Sequence, residues 1–265
     1  MQNGTGGVAV FASYNVHKCI GTDGRYDPDR IGAVIAEIRP DVIALQEVDR
    51  RFGDKAGLLD LARVGRETGL VPVPVSNGHS GHGWHGNVVL VREGTVQDLR
   101  QLSLPGLEPR GALVADVDLV AGPVRVMAAH LGLLRQSRLM QVEMLLGHAV
   151  EGDERPVVLM GDFNEWRRQR RSALKPFGSG FGPLGRGVAS FPSYFPVLAL
   201  DRIMARPHGI LGQVQAHDSP LARLASDHLP VKAHVRLSGR ADATAGRTAR
   251  ASRGAEAVAG RRAGA

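Results

Sequence analysis

Apolar residues in this chain fall into short runs that end on single polar side chains. Val8 to Val16 is such a run and predicts a strand. Asp27-Pro28 has the form of a helix start, an N-cap followed by proline at the first helical position. Ile31, Val34, Ile35 and Ile38 then recur at helical spacing until Pro40 stops them. Val42 to Leu45 predicts a short buried strand, and Leu58 to Thr68 a helix. Further strands are predicted near Asn87 to Val91, Ala112 to Val117 and Val124 to Ala129, and Leu139, Val142, Leu146 and Ala149 mark another helix. Strands near Val157 to Met160, Leu198 to Met204, Val214 to His217 and Val231 to Val235 complete the pattern. Strands outnumber helices and often succeed one another directly. That favours an α/β sandwich with mixed sheets over strict alternation.

Composition narrows the class. The chain has 265 residues, 43% hydrophobic and 22% charged, which supports a sizeable core and excludes a disordered or collagen-like chain. No apolar run approaches the length of a membrane span, and Met1 to Val10 lacks the basic and apolar parts of a secretory leader. A cytoplasmic protein without a transmembrane segment is therefore expected. One cysteine, Cys19, excludes an internal disulfide and a thiolate zinc cluster. The net charge of +7 suggests an anionic partner. From Ser238 onward, however, the chain is Ala, Gly, Ser and Thr with six arginines, two acids and Val258 as its one larger apolar residue. Such a segment buries too little surface to offset its ordering entropy and predicts a disordered basic tail over 238–265. That tail holds +4 of the charge, so residues 1–237, with no linker or repeat, form one domain carrying +3.

Candidate chemistry sits at the strand ends. The runs finish in Asn15-Val16-His17, Gln46-Glu47, His130-Leu131, Gly161-Asp162-Phe163-Asn164, Asp201-Arg202 and Asp227-His228. One such ending is usually a turn residue; six in one domain point to a site at the sheet rim. Carboxylates, amides and imidazoles without thiolates suit a hard cation, Mg²⁺ or Mn²⁺, and an imidazole with a nearby Asp suits proton transfer. Together they indicate metal-assisted hydrolysis of a phosphate ester.

The ordered set NVH, LQE, HLGL, GDFN, LDRI and SDHLP resembles the endonuclease/exonuclease/phosphatase superfamily, over about Phe11 to Val235. The resemblance implies a four-layer α/β sandwich, two mixed sheets packed face to face with helices outside. It implies Glu47 as the main metal carboxylate, with Asn15 beside it and Asp227 completing the metal site. Asp162 would orient or deprotonate the attacking water, and Asn164 would hold the scissile phosphate. His228, oriented by Asp201, would contact phosphoryl oxygens, and His130 would stabilise the transition state or protonate the leaving oxygen. His17 would have at most an indirect role.

Other signals are weaker. His79, His82 and His85 lie in a Gly-rich segment better suited to contact with substrate phosphate than to a dedicated metal site, and the following strand carries Asn87 as a substrate contact. Gly180, Gly182 and Gly185 spell a dinucleotide-type pattern, but Pro183 interrupts it. Trp166 and the basic run Arg167 to Arg171, above all Arg167 and Arg168, could hold further phosphates or an anionic membrane surface, and Phe191, Tyr194 and Phe195 suit base stacking or an interface equally. The substrate is left as nucleic acid, a phospholipid or another small phosphoester, with a binding module that has lost catalysis as the rival class. Oligomeric state is left open.

Overall fold

The computed structural model describes residues 6–50, 56–76, 81–151, 154–167 and 171–238. His79, Arg168 and the predicted tail beyond Ser238 lie outside them. The first sheet contains β1 (Val8–Asn15), β2 (Val42–Gln46), β3 (Leu70–Pro72), β4 (Val88–Arg92), β10 (Gln215–Ala216) and β11 (Val231–Arg236), in the order β10-β11-β1-β2-β4-β3. The second contains β5 (Gly94–Leu104), β6 (Arg110–Leu119), β7 (Gly122–His130), β8 (Val157–Asp162) and β9 (Asp201–Arg206), in chain order. Each sheet has one parallel pair, β1–β2 and β7–β8, and is antiparallel elsewhere.

The layers follow from which faces are apolar. Phe11, Ala44, Val89, Val126 and Val158, with Val231 and Val235 of β11, fill the space between the sheets. The opposite face of the first sheet packs on α1 (Pro28–Ile38), α2 (Leu61–Thr68) and α5 (Pro220–Ala225) through residues such as Ile31, Ile35, Val64 and Ala222. The opposite face of the second packs on α3 (Arg135–Val150) and α4 (Gly178–Phe181) through Val142, Leu145, Phe177 and Phe181. The result is the expected four-layer α/β sandwich. Asp27 caps α1 by accepting from the Arg30 N–H, as its position before Pro28 predicts.

The parallel pairs place the chemistry. In β1–α1–β2 and β7–α3–β8 the strands run the same way, so Asn15, Gln46, His130 and Asp162 all end at one rim. Asp162 stands directly across from His130 on one side and from Asp201 on the other. Gly161 permits this approach. It lies at φ 151°, and a Cβ there would overlap the Ala129 carbonyl oxygen. Gly161→Ala should therefore cost about 2–4 kcal/mol of stability. An unchanged urea midpoint would refute this account of the close strand approach.

Candidate active site

Two tight backbone features shape the rim. His17, Lys18 and Cys19 follow β1 with φ of 45°, 55° and 61°, three successive non-glycine residues in the left-handed region. Glu47, after β2, has φ 60° and Asn164, after β8, φ 49°. Such residues cost on the order of 1 kcal/mol or more each and cluster where function requires them. The His17–Cys19 turn is held by Cys19 N–H to Val16 O at 2.8 Å, Ile20 N–H to His17 O at 3.0 Å and His17 N–H to Asn15 Oδ1 at 3.0 Å. It buries Cys19, whose thiol burial pushes up to about 12. Lys18 Nζ lies 2.6 Å from Glu47 Oε2. This half-buried ion pair contributes on the order of 1 kcal/mol, less than three left-handed residues cost.

Asp162 is the hub. Its Oδ2 accepts from Asn15 Nδ2 at 2.9 Å and its Oδ1 from the Asn164 N–H at 2.9 Å. His130 Nε2 and His228 Nε2 lie 3.6 and 3.8 Å from Oδ2. His228 Nδ1 donates to Asp201 Oδ2 at 2.8 Å, and Ser190 Oγ donates to the same oxygen at 2.5 Å. Asp201 is 1% exposed, and its Oδ1 is a buried acceptor with no hydrogen-bond partner. Asp227 Oδ1 is 3.7 Å from His17 Nδ1.

The family profile described as Endonuclease/Exonuclease/phosphatase family matches residues 12–228. The chain belongs to this family. A curated relative, the uncharacterised protein YbhP of Escherichia coli K12, is 34% identical over 164 residues, 58% of this chain and 64% of that protein, so the match spans just under two thirds of the relative's length. The endonuclease/exonuclease/phosphatase of Beutenbergia cavernae is similar in structure, with TM-score 0.63 and 26% identity over 88% of this chain and 72% of that one. TDP2 of D. rerio in complex with a single-strand DNA product has TM-score 0.59 and 17% identity over 86% of this chain and 98% of that one. The mannosyl-6-phosphatase of Bacteroides thetaiotaomicron has TM-score 0.64 and 16% identity over 85% and 98%. These last two share the fold. Members of the family hydrolyse phosphoester bonds and generally use a divalent metal.

Burial acts on the two site imidazoles of this family member with opposite outcomes. At His130 burial prevails over the Asp162 charge, Arg110 adds to it, and the ring is pushed down to about 4. At His228 burial is outweighed by Asp201 and Asp162, and the ring is pushed up to about 10. Near neutrality His130 is thus a neutral hydrogen-bonding group, whereas His228 is protonated against Asp201. Burial would raise the Asp162 carboxyl, but His228, His130, Asn15 and the Asn164 N–H hold it below its ordinary value. At Glu47 burial is likewise overcome, by His130, Lys18 and His17.

The structure thus draws Asn15, Glu47, His130, Asp162, Asn164, Asp201, Asp227 and His228 to one rim. Asn164 Nδ2 donates to Leu131 O at 2.9 Å, which fixes its amide. Asn87 is placed differently from a substrate contact. It is fully buried, and its Nδ2 donates to the carbonyls of Trp84 and Gly111, both at 3.1 Å, pinning the turn before β4 onto β6. His82 is also a strut, with Nε2 2.6 Å from Leu59 O and its N–H donated to Asp49. Arg167 lies over the Trp166 ring at 4.9 Å. Sequence reading missed Arg110, whose Nη1 lies 3.0 Å from His130 Nε2 while Nη2 donates to Glu108 at 2.9 Å. No motif marks it; only the β6–β7 pairing brings it to His130.

The residues fit a divalent cation. Four carboxylates, Glu47, Asp162, Asp201 and Asp227, face the cations Lys18 and His228, and Asp201 Oδ1 awaits a partner. Asp162, Asp201 and His228 also present ligand atoms within 4.8 Å of one another.

The imidazole shifts carry signs that can be measured without metal. His228, raised above its ordinary 6.5, contributes stability that is complete below pH 6.5 and lost as pH rises toward about 10. His130, held down near 4, makes stability fall as pH drops from 6.5 toward 4. In EDTA, His228→Asn should flatten the alkaline limb of melting temperature against pH, and His130→Asn the acid limb. Parallel curves for wild type and variants would remove these assignments.

Proposed function

We propose that this protein is a Mg²⁺-dependent phosphodiesterase that hydrolyses its substrate by in-line attack of water. The observation that carries this reading is the convergence of Asn15, His130 and His228 on the buried carboxylate of Asp162. Asp162 orients water and takes up its proton as the new bond to phosphorus forms. His228, steadied by Asp201, donates from Nε2 to a phosphoryl oxygen, and Asn164 holds a second. Neutral His130, turned by Arg110, donates a hydrogen bond to the leaving oxygen as its bond to phosphorus breaks, and that oxygen takes its proton from solvent. Glu47 and Asp227 would hold the cation with the Asn15 amide beside them, since His228 Nδ1 is committed to Asp201 and Asp162 to Asn15 and Asn164. Bound there, it would supply charge neutralisation at the phosphate. Mn²⁺ would serve in its place. The DNA product bound to D. rerio TDP2 supports nucleic acid as the substrate, with Arg167 and Arg168 as further phosphate contacts.

A second reading is favoured by one specific observation. Tyr194 and Phe195 are each 68% exposed, just after Ser193, whose N–H donates to Asp227 O at 2.7 Å. An exposed aromatic knuckle at the site rim suits a phospholipid at an anionic membrane surface. Among the described residues no helix is long and apolar enough to cross a membrane.

Two outcomes test the reaction. Asp162→Asn should lower kcat by about 10²- to 10⁴-fold while the circular dichroism spectrum is preserved; wild-type turnover would refute its role. A panel of supercoiled DNA, single-stranded RNA, anionic vesicles and an aryl phosphodiester, titrated with Mg²⁺ and Mn²⁺, should show activity that EDTA abolishes. Nucleic-acid cleavage that falls steeply with salt supports the first reading; hydrolysis confined to vesicles supports the second. No hydrolysis anywhere would leave a catalytically inactive phosphate-binding module.

A further inference from the structure

Lys18 is the group at the rim whose placement the reaction above does not explain. Its ammonium lies 2.6 Å from Glu47 Oε2, yet both side chains keep access to solvent. The pair is brought together by left-handed residues on both partners, at Lys18 and at Glu47, following adjacent parallel strands. The pair is half-buried, and three left-handed residues in the His17–Cys19 turn cost more than the roughly 1 kcal/mol such a pair returns, so stability does not account for it. The turn is nevertheless closely held, by His17 N–H to Asn15, Cys19 N–H to Val16 and Val16 N–H to Gln46 O. It delivers one flexible cation, on a four-carbon stem with three donors, to the carboxylate that the proposed function assigns to the metal.

We propose that Lys18 is a resident cation of the site: its ammonium balances Glu47 when no divalent cation is bound, and moves onto a phosphoryl oxygen of the substrate once a divalent cation takes that carboxylate. The proposal rests on the metal-dependent reading above. Its chemistry is an exchange of ion partners; no covalent bond forms or breaks. Glu47 trades an ammonium for a divalent ion, and the ammonium trades a carboxylate oxygen for a phosphate oxygen of the substrate. The same side chain thus competes with the metal before substrate arrives and adds to phosphate binding afterwards. A purely structural ion pair would do neither.

The test uses Mn²⁺ as probe, with free ion read by electron paramagnetic resonance, and inorganic phosphate as the anion, read by calorimetry on the Mn²⁺-loaded protein. Lys18→Met should bind Mn²⁺ about tenfold more tightly than wild type and phosphate about tenfold more weakly. Lys18→Arg, which keeps the charge, should stay near wild type in both. Circular dichroism and melting temperature show whether each variant is folded. Mn²⁺ binding that Glu47→Gln abolishes but Lys18→Met leaves unmoved would overturn the proposal and leave the metal reading standing. Tighter Mn²⁺ with unchanged phosphate affinity would overturn the transfer to substrate. No Mn²⁺ binding by wild type or Lys18→Met would remove the metal reading and the proposal with it.

Discussion

The hydrogen bond from Asn15 to Asp162 joins the two sheets at the place where both carry polar groups. Away from the rim the contact between the layers is mostly apolar, made by residues such as Phe11, Val126 and Val158, with Ser13 and Gln46 as a buried polar pair. A buried carboxylate needs donors, and Asp162 takes one from the other sheet and one from its own following turn. Once it is fixed, strand register fixes the rest: His130 and Asp201 stand beside it on β7 and β9. The apolar core brings the sheets together, and this bond sets how they meet at the rim.

Around that carboxylate the fold makes two histidines of the same type behave differently. His130 has a guanidinium beside it and its nearest carboxylate, Asp162, at 3.6 Å; His228 lies between two, with Asp201 at 2.8 Å. The separation of their protonation states is a product of environment, and it divides hydrogen-bonding from charge-bearing work without a change of residue type. Arg110 adds to the burial that holds the His130 ring down, and Ser190 hydrogen-bonds the Asp201 carboxylate that faces His228.

What was legible in the sequence follows from how burial writes itself along the chain. Strands buried on both faces, such as β2 and β8, appear as continuous apolar runs, and their final polar residues were readable as site groups. β5 was not. It is an edge strand with most of its side chains in water, so it has no apolar run to find. β3 is three residues long. The expected strand from Val214 to His217 narrows to Gln215–Ala216, and the expected strand from Leu198 begins only at Asp201. Helix α5 was missed although Ser219 and Pro220 are a cap and a first-turn proline, because six residues give no periodicity. At the site, residue types at strand ends were legible; their partners were not. The Lys18–Glu47 contact depends on backbone handedness at both ends, and the burial of Asn87 on the way β6 passes beneath its turn.

The burial of Cys19 has a practical consequence. It is the chain's one thiol, and it sits in the turn that carries Lys18. With its thiol held protonated and out of solvent, it is inert to alkylating reagents while the turn is closed. The wild-type protein therefore carries its own chemical clock: the rate of thiol modification counts how often the turn beside the metal carboxylate opens, with no label introduced and no residue replaced.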